Sequence, residues 1–135
     1  MEQKDIEAQV KDAIGRDAYL AMMGIELVDC GPGRATVRMT VRPDQVNFIG
    51  TCHGGAVFSL ADAAFAMSSN THGPSTVAID AHIAFTAGAR EGEVLTATSR
   101  EVARSNRLAT YRIEVVGPDE AVIAACTGTA YIRKR

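Results

Sequence analysis

The spacing of apolar residues divides this chain into a short helical start, a hairpin, one strongly apolar helix and a run of strands. Ile6, Val10, Ala13, Ile14 and, less regularly, Leu20 recur at helical spacing, which predicts an N-terminal packing helix over residues 1–22 that carries no chemistry. Gly24 ends it. Residues 24–30 read as a strand, and Gly31-Pro32-Gly33 as a turn. From Arg34 to Val41 the pattern alternates, with Ala35, Val37, Met39 and Val41 on one face and Thr36, Arg38 and Thr40 on the other. Pro43-Asp44 breaks the hairpin, and Val46 to Thr51 is a loop.

From Gly54 or Gly55 to about Asn70 the period becomes helical again. Val57, Leu60, Ala61, Ala64, Phe65 and Ser68 form one face. Gly55, Phe58, Ser59, Asp62, Ala66 and Ser69 form the other, and apart from Asp62 both faces are apolar or small. A helix apolar all round is buried all round. Gly73-Pro74 stops it. Thr76–Phe85, 93–103, 107–116 and 121–132 are rich in β-branched residues and read as strands, the last three as an antiparallel meander. These elements predict an α+β domain in which a curved antiparallel sheet wraps the central helix. One sheet covers only one side of that helix, so a second copy of the chain is expected on the other.

The chemistry centres on Asp62, the single formally charged side chain between Gln45 and Ala78. A carboxylate among apolar residues is costly unless satisfied or functional. His53, Gly54 and Gly55 stand at the start of the same helix. Backbone N–H groups there lack intrahelical acceptors, the macrodipole is positive, and glycine lets an anion or a polarised carbonyl approach. This is the make-up of an oxyanion hole, and Asp62 suits a nucleophile or general base towards an acyl carbonyl. Gly54 and Asp62 are eight residues apart, about 12 Å along one helix. Both must lie within about 3 Å of one reacting group. If both act, Asp62 meets Gly54 of another subunit, two helices packing antiparallel across a twofold axis.

Those residues carry a resemblance. Asn47-x5-His53-Gly54-Gly55-x3-Ser59-Leu60-Ala61-Asp62-x2-Phe65-Ala66, with Ser69-Asn70 and Gly73 after it, resembles the hotdog-fold thioesterases of the phenylacetate-degradation (PaaI) type. The resemblance runs from about Met23 to Tyr131, through Val77–Phe85, Ala109–Val116 and Thr127–Ala130. It implies hydrolysis of acyl-CoA, with small aryl-acetyl or medium-chain acyl groups, by a homodimer packed into a homotetramer. Asp62 is then the nucleophile or base. The amide of Gly54 binds the carbonyl from the neighbouring subunit, Asn47 helps place the carbonyl or the water, and His53 supports the loop and helps hold the thioester, which makes all four catalytic candidates. Many relatives carry Ser or Thr two residues before the acid of the following strand, where it orients water. Here that acid is Asp80 and the position is Ala78, so Thr76 or a residue of the facing subunit would have to substitute. The usual Pro after that strand is replaced by Thr86-Ala87-Gly88-Ala89.

The remaining features narrow the picture further. The 135 residues fit one domain, 1–135, with its core at about 23–133. A net charge of −2 gives no basic field for nucleic acid, and the short closing run Ile132-Arg133-Lys134-Arg135 reads as a solvated terminus. Cys30, Cys52 and Cys126 are scattered and odd in number, against a disulfide framework or zinc site. A charged start without an apolar core, and no bilayer-length apolar stretch, point to a cytoplasmic protein with no membrane partner. No metal or cofactor is expected, coenzyme A being part of the substrate. Gly55 is a candidate substrate contact, as are Arg104 and Arg107, which flank the Ser105-Asn106 turn and suit CoA phosphates. His72 reads as a surface turn residue and His82 as a strand residue. Two other classes fit less well. A non-catalytic acyl-CoA sensor on the same fold would bind without releasing thiol, and a dehydratase would need a histidine acting on the acyl chain.

Overall fold

The first helical segment is two helices rather than one. In the computed structural model, which describes residues 2–133, α1 spans Gln3–Gly15 and α2 spans Ala18–Met23. Between them Asp17 leaves the helix and its Oδ1 accepts the Leu20 N–H at 3.0 Å. Aspartate favours this capping geometry over a helix interior, and Gly15 just before it weakens continuation. Gly24, at φ 76°, closes α2 in the left-handed conformation that glycine adopts without strain. Lys134 and Arg135 of the closing basic run lie outside the described residues.

The hairpin strands are β1 (Glu26–Gly31) and β2 (Arg34–Thr40), and the apolar helix is α3 (Gly54–Ser69). Four strands follow: β3 (Thr76–Phe85), β4 (Val94–Arg104), β5 (Leu108–Val116) and β6 (Val122–Ile132). They form one antiparallel sheet in the order β1-β2-β4-β5-β6-β3. Alternate residues face inward: Ala35, Val37 and Met39 from β2, Leu95, Ala97 and Ser99 from β4, and Ala109, Tyr111, Ile113 and Val115 from β5, all buried. The sheet curls around α3, whose Val57, Leu60, Ala61, Ala64, Phe65 and Ser68 fill the core. This is a hotdog fold with additional N-terminal helices.

The other face of α3 is open, as one sheet around an all-apolar helix requires. Gly55, Phe58 and Asp62 are exposed along it. Beside it β3 is an edge strand, with Val77, Ile79 and Phe85 facing solvent. Asp62 is therefore not buried within its own chain. Its neighbours in sequence give it the signature of a core residue, but the chain leaves its side of the helix uncovered.

Candidate active site

The loop before α3 is fixed from below. Gln45 is buried and its Nε2 donates to the Met23 carbonyl at 3.0 Å. Its own carbonyl accepts the His53 N–H at 2.7 Å. His53 is the N-cap of α3, extended at φ −54° and ψ 137°, and its carbonyl accepts the N–H groups of Ala56 and Val57. The ring of His53 makes no capping hydrogen bond. The N–H groups of Gly54 and Gly55 thus open the helix with no intrahelical acceptor. Gly54 faces a concavity of about 440 Å³ bordered by Asn47, Thr51, Phe85 and Gly88. The Phe85 ring roofs it closely: a Cβ on Gly54 would stand 3.1 Å from Cζ. Gly55 has no such neighbour within 4 Å.

Asn47 shapes the loop itself. Its Oδ1 accepts the N–H groups of Ile49 and Thr51 at 3.0 and 3.1 Å, and its Nδ2 donates to Thr51 Oγ1 at 3.2 Å. It shares the concavity with Gly54.

Asp62 sits elsewhere, in a separate hollow between Phe58, Phe65, Ala81, Ile113 and Cys126. The carboxyl reaches solvent on the open side of α3, while these apolar groups crowd its other side and push its pKa above the ordinary carboxylate value of 3.8. A raised pKa on a carboxyl beside a hollow marks a candidate for proton transfer or nucleophilic attack. Cys126 in the same hollow is a poor rival, because burial raises its thiol pKa to about 11. Thr76, the sequence candidate to replace the missing hydroxyl at Ala78, lies at the start of β3. Its Oγ1 pairs with Ser69 Oγ at 2.6 Å, at the C-terminal end of α3.

Arg104 and Arg107 lie at that same end, remote from the Gly54 of their own chain. The Arg107 carbonyl accepts the Ile132 N–H, and Ile132 pairs with Thr76. Arg107 Nη1 donates to Tyr131 Oη at 3.2 Å. Arg104 belongs to a cluster that sequence reasoning missed. Glu101 Oε1 accepts from Tyr111 Oη at 2.8 Å and Arg104 Nη1 at 3.5 Å, and lies 3.0 Å from His72 Nε2. Burial pushes the Glu101 carboxyl up, but Tyr111, His72 and Arg104 together hold it below its usual range. His72 is thereby half-buried and paired, not a free surface turn residue. Tyr111 continues inward to Phe65, ring centroids 5.5 Å apart, and Phe65 walls the Asp62 hollow. Among the described residues, no group of three or more His, Cys, Asp or Glu is placed to hold a metal. Among the described residues, no helix is long and apolar enough to cross a membrane.

Known proteins resemble this chain in sequence and fold. Residues 49–124 match the family model described as the thioesterase superfamily. The acyl-coenzyme A thioesterase PaaI of Escherichia coli K12 is 35% identical over 115 residues, 85% of this chain and 82% of that protein. The solved structure of the E. coli PaaI protein from the phenylacetic acid degradation operon superposes with a TM-score of 0.93 at 31% identity, covering 98% of this chain and 97% of that one. A Streptococcus mutans UA159 protein solved bound to acetyl CoA has the same fold, with a TM-score of 0.79 at 22% identity over 82% of this chain and 90% of that one. Gly54, Gly55 and Asp62 all fall within residues 49–124, and the chain belongs to the thioesterase superfamily, as a thioester hydrolase of the hotdog-fold, PaaI-like acyl-CoA type.

Proposed function

We propose that this protein hydrolyses small aryl-acetyl-CoA or medium-chain acyl-CoA thioesters to the free acid and CoA, in the cytoplasm, as a homodimer that packs into a homotetramer. The Gly54 N–H of one subunit binds the thioester oxygen, and Asp62 of its neighbour attacks the carbonyl carbon or removes a proton from the attacking water. The carbon–sulfur bond then breaks, and CoA leaves as the thiol after protonation. In the nucleophilic route water next hydrolyses the acyl-Asp62 anhydride.

One observation carries the reading. Within a single chain the oxyanion donor and the acid open into different cavities, while the stripe of α3 that joins them is bare and apolar. Antiparallel pairing of two such stripes brings each Gly54 towards the other chain's Asp62 and covers the exposed edge strand β3. Asn47 serves by shaping the loop that presents Gly54, and His53 by capping the helix that carries it. Arg104 and Arg107, at the far end of α3, approach the partner's Gly54 in that pairing and suit the phosphates of its CoA.

The test is release of free thiol from a panel of acyl-CoAs by the wild type and by Asp62→Asn. Release is expected to fall about 10²- to 10⁴-fold in the variant, the usual contribution of a positioned base. Undiminished release by a folded Asp62→Asn protein refutes the role of Asp62. Tight binding of acyl-CoA by the wild type without thiol release would instead mark a sensor.

A further inference from the structure

The hollow beside Asp62 holds about 10 Å³, room for about one water molecule. No aryl-acetyl or medium-chain acyl group fits in it. The walls of an acyl site at Asp62 must therefore include surface from beyond that protomer's own hollow. The chain displays suitable surface elsewhere. Phe48 is 100% exposed and Ile49 72% exposed, side by side in the loop before α3.

The fold holds this pair out in water. A bridge between Val46 and Cys52 closes the base of the loop. Asn47 N–H donates to the Thr51 carbonyl at 2.8 Å, and Gly50 N–H to the Asn47 carbonyl at 3.0 Å. The Asn47 side chain takes the N–H groups on either side of the tip, Ile49 and Thr51. Gly50, at φ +93°, makes the turn that glycine alone adopts cheaply. Two large apolar side chains standing in solvent add nothing to folding. With the backbone held in this way, binding has only the two side chains left to order.

The loop is tied to Gly54, since Asn47 and Gly54 border one concavity. Whatever carries Gly54 to the partner's Asp62 carries Phe48 and Ile49 there too. We propose that Phe48 and Ile49 of one protomer form the acyl-side wall of the partner subunit's Asp62 site and select apolar acyl groups. Neither side chain offers a hydrogen bond, so a polar acyl end would lose its water without replacement. The proposal rests on the thioesterase reading above and adds the residues that choose the acyl group.

The first measurement is kcat/KM for acetyl-, hexanoyl- and phenylacetyl-CoA, in the wild type, Phe48→Ala and Ile49→Ala. Each truncation is expected to lower hexanoyl and phenylacetyl turnover about tenfold relative to acetyl. Both side chains stand in solvent, so truncation leaves the fold intact, and circular dichroism checks this. The second measurement uses Asp62→Asn and Phe48→Ala chains co-expressed with different tags and isolated as the mixed species. In each active-site dimer that pairs the two different chains, one of the two sites then joins an intact Asp62 to an intact loop from the other chain. Wild-type acyl preference is expected to return in the mixture, although neither parent shows it. Unchanged preference in the single variants overturns the proposal, as does a mixture that keeps the Phe48→Ala preference. A wild type that releases no thiol, or an Asp62→Asn variant with full activity, defeats the thioesterase reading itself.

Discussion

Gly128 on β6 controls the shape of the Asp62 hollow through one aromatic ring. A Cβ placed there would meet Phe65 Cε2 at 2.7 Å, Cζ at 2.9 Å and Cδ2 at 3.0 Å. Separations this short are not tolerated, so Gly128→Ala must displace the ring. Phe65 is buried, packs against Tyr111 and lines the Asp62 hollow, so its easiest movement is into the site. Overpacking of this kind costs about 1–3 kcal/mol. For a chain of this length that is a fall in melting temperature of about 3–10 °C at fixed protein concentration. Turnover is expected to fall more than stability requires, because a misplacement of about 1 Å near the chemistry can cost about 10²-fold. Phe65→Leu removes Cε2 and Cζ, the two atoms that clash most closely. The double variant Gly128→Ala/Phe65→Leu is therefore expected to recover about 1 kcal/mol relative to the sum of the single changes. Thermal melts of the four proteins measure the coupling, and thiol release by the same samples measures the site. If Gly128→Ala matches wild type in both, or if the two changes add independently, the ring does not transmit the strain.

Three further outcomes follow from the same geometry. Because Asp62 has a raised pKa and must be ionised to act, the acid limb of the kcat/KM profile is expected above pH 3.8, the carboxyl's ordinary value. The sign for stability is opposite: the folded chain holds this proton more tightly than the unfolded one, so ionised Asp62 opposes folding once pH exceeds the folded pKa. Asp62→Asn should therefore be slightly more stable at pH 7 while being the least active variant, which calorimetry beside the thiol assay decides. Glu101, with a lowered pKa, contributes stability above its unfolded value of 4.5 that is lost as pH falls through the folded one. Glu101→Ala also strands the buried Tyr111 hydroxyl and is expected to cost about 2–3 kcal/mol, against about 1 kcal/mol for Tyr111→Phe. The double variant should fall close to Glu101→Ala alone in urea unfolding, and full additivity would show that the hydrogen bond is not what couples them. Gly54→Ala crowds the exposed Phe85 ring at 3.1 Å without backbone strain. It should fold normally yet lose activity, and Phe85→Ala in the same chain should restore part of it; equal activity in all three proteins would exclude close approach at Gly54.

Different parts of the fold were legible for different reasons. The strands from β2 onward follow their alternation and turn residues because one face of each is buried in the core, and that burial is written directly into every second residue. The break at Asp17 was hidden. Leu20 continues the apolar stripe of Ile6, Val10 and Ile14 closely enough for a helical period to run through, whereas the break is decided by one cap hydrogen bond. Partners distant in sequence left no local trace. Phe85 above Gly54, Phe65 against Gly128 and His72 beside Glu101 each join separate elements that only the finished sheet brings together. Phe48-Ile49 did leave a signal, two large apolar residues in a segment with no periodicity, but a loop offers no face on which to place them.

Asp62 shows what such patterning records. Its flanking residues carry the composition of a buried site, yet in the single chain its side of α3 meets water. Composition reflects the environment in which a residue works, and in the proposed dimer that environment is larger than one chain. The same reasoning joins the bare stripe, the exposed edge strand β3 and the projecting Phe48-Ile49 pair. Each is apolar surface that folding alone leaves in water. In the proposed dimer, antiparallel pairing of two copies would cover the stripe and the edge. The same pairing would bring Gly54, Asp62 and the apolar pair into one site, which no rearrangement within a single 16-residue helix achieves.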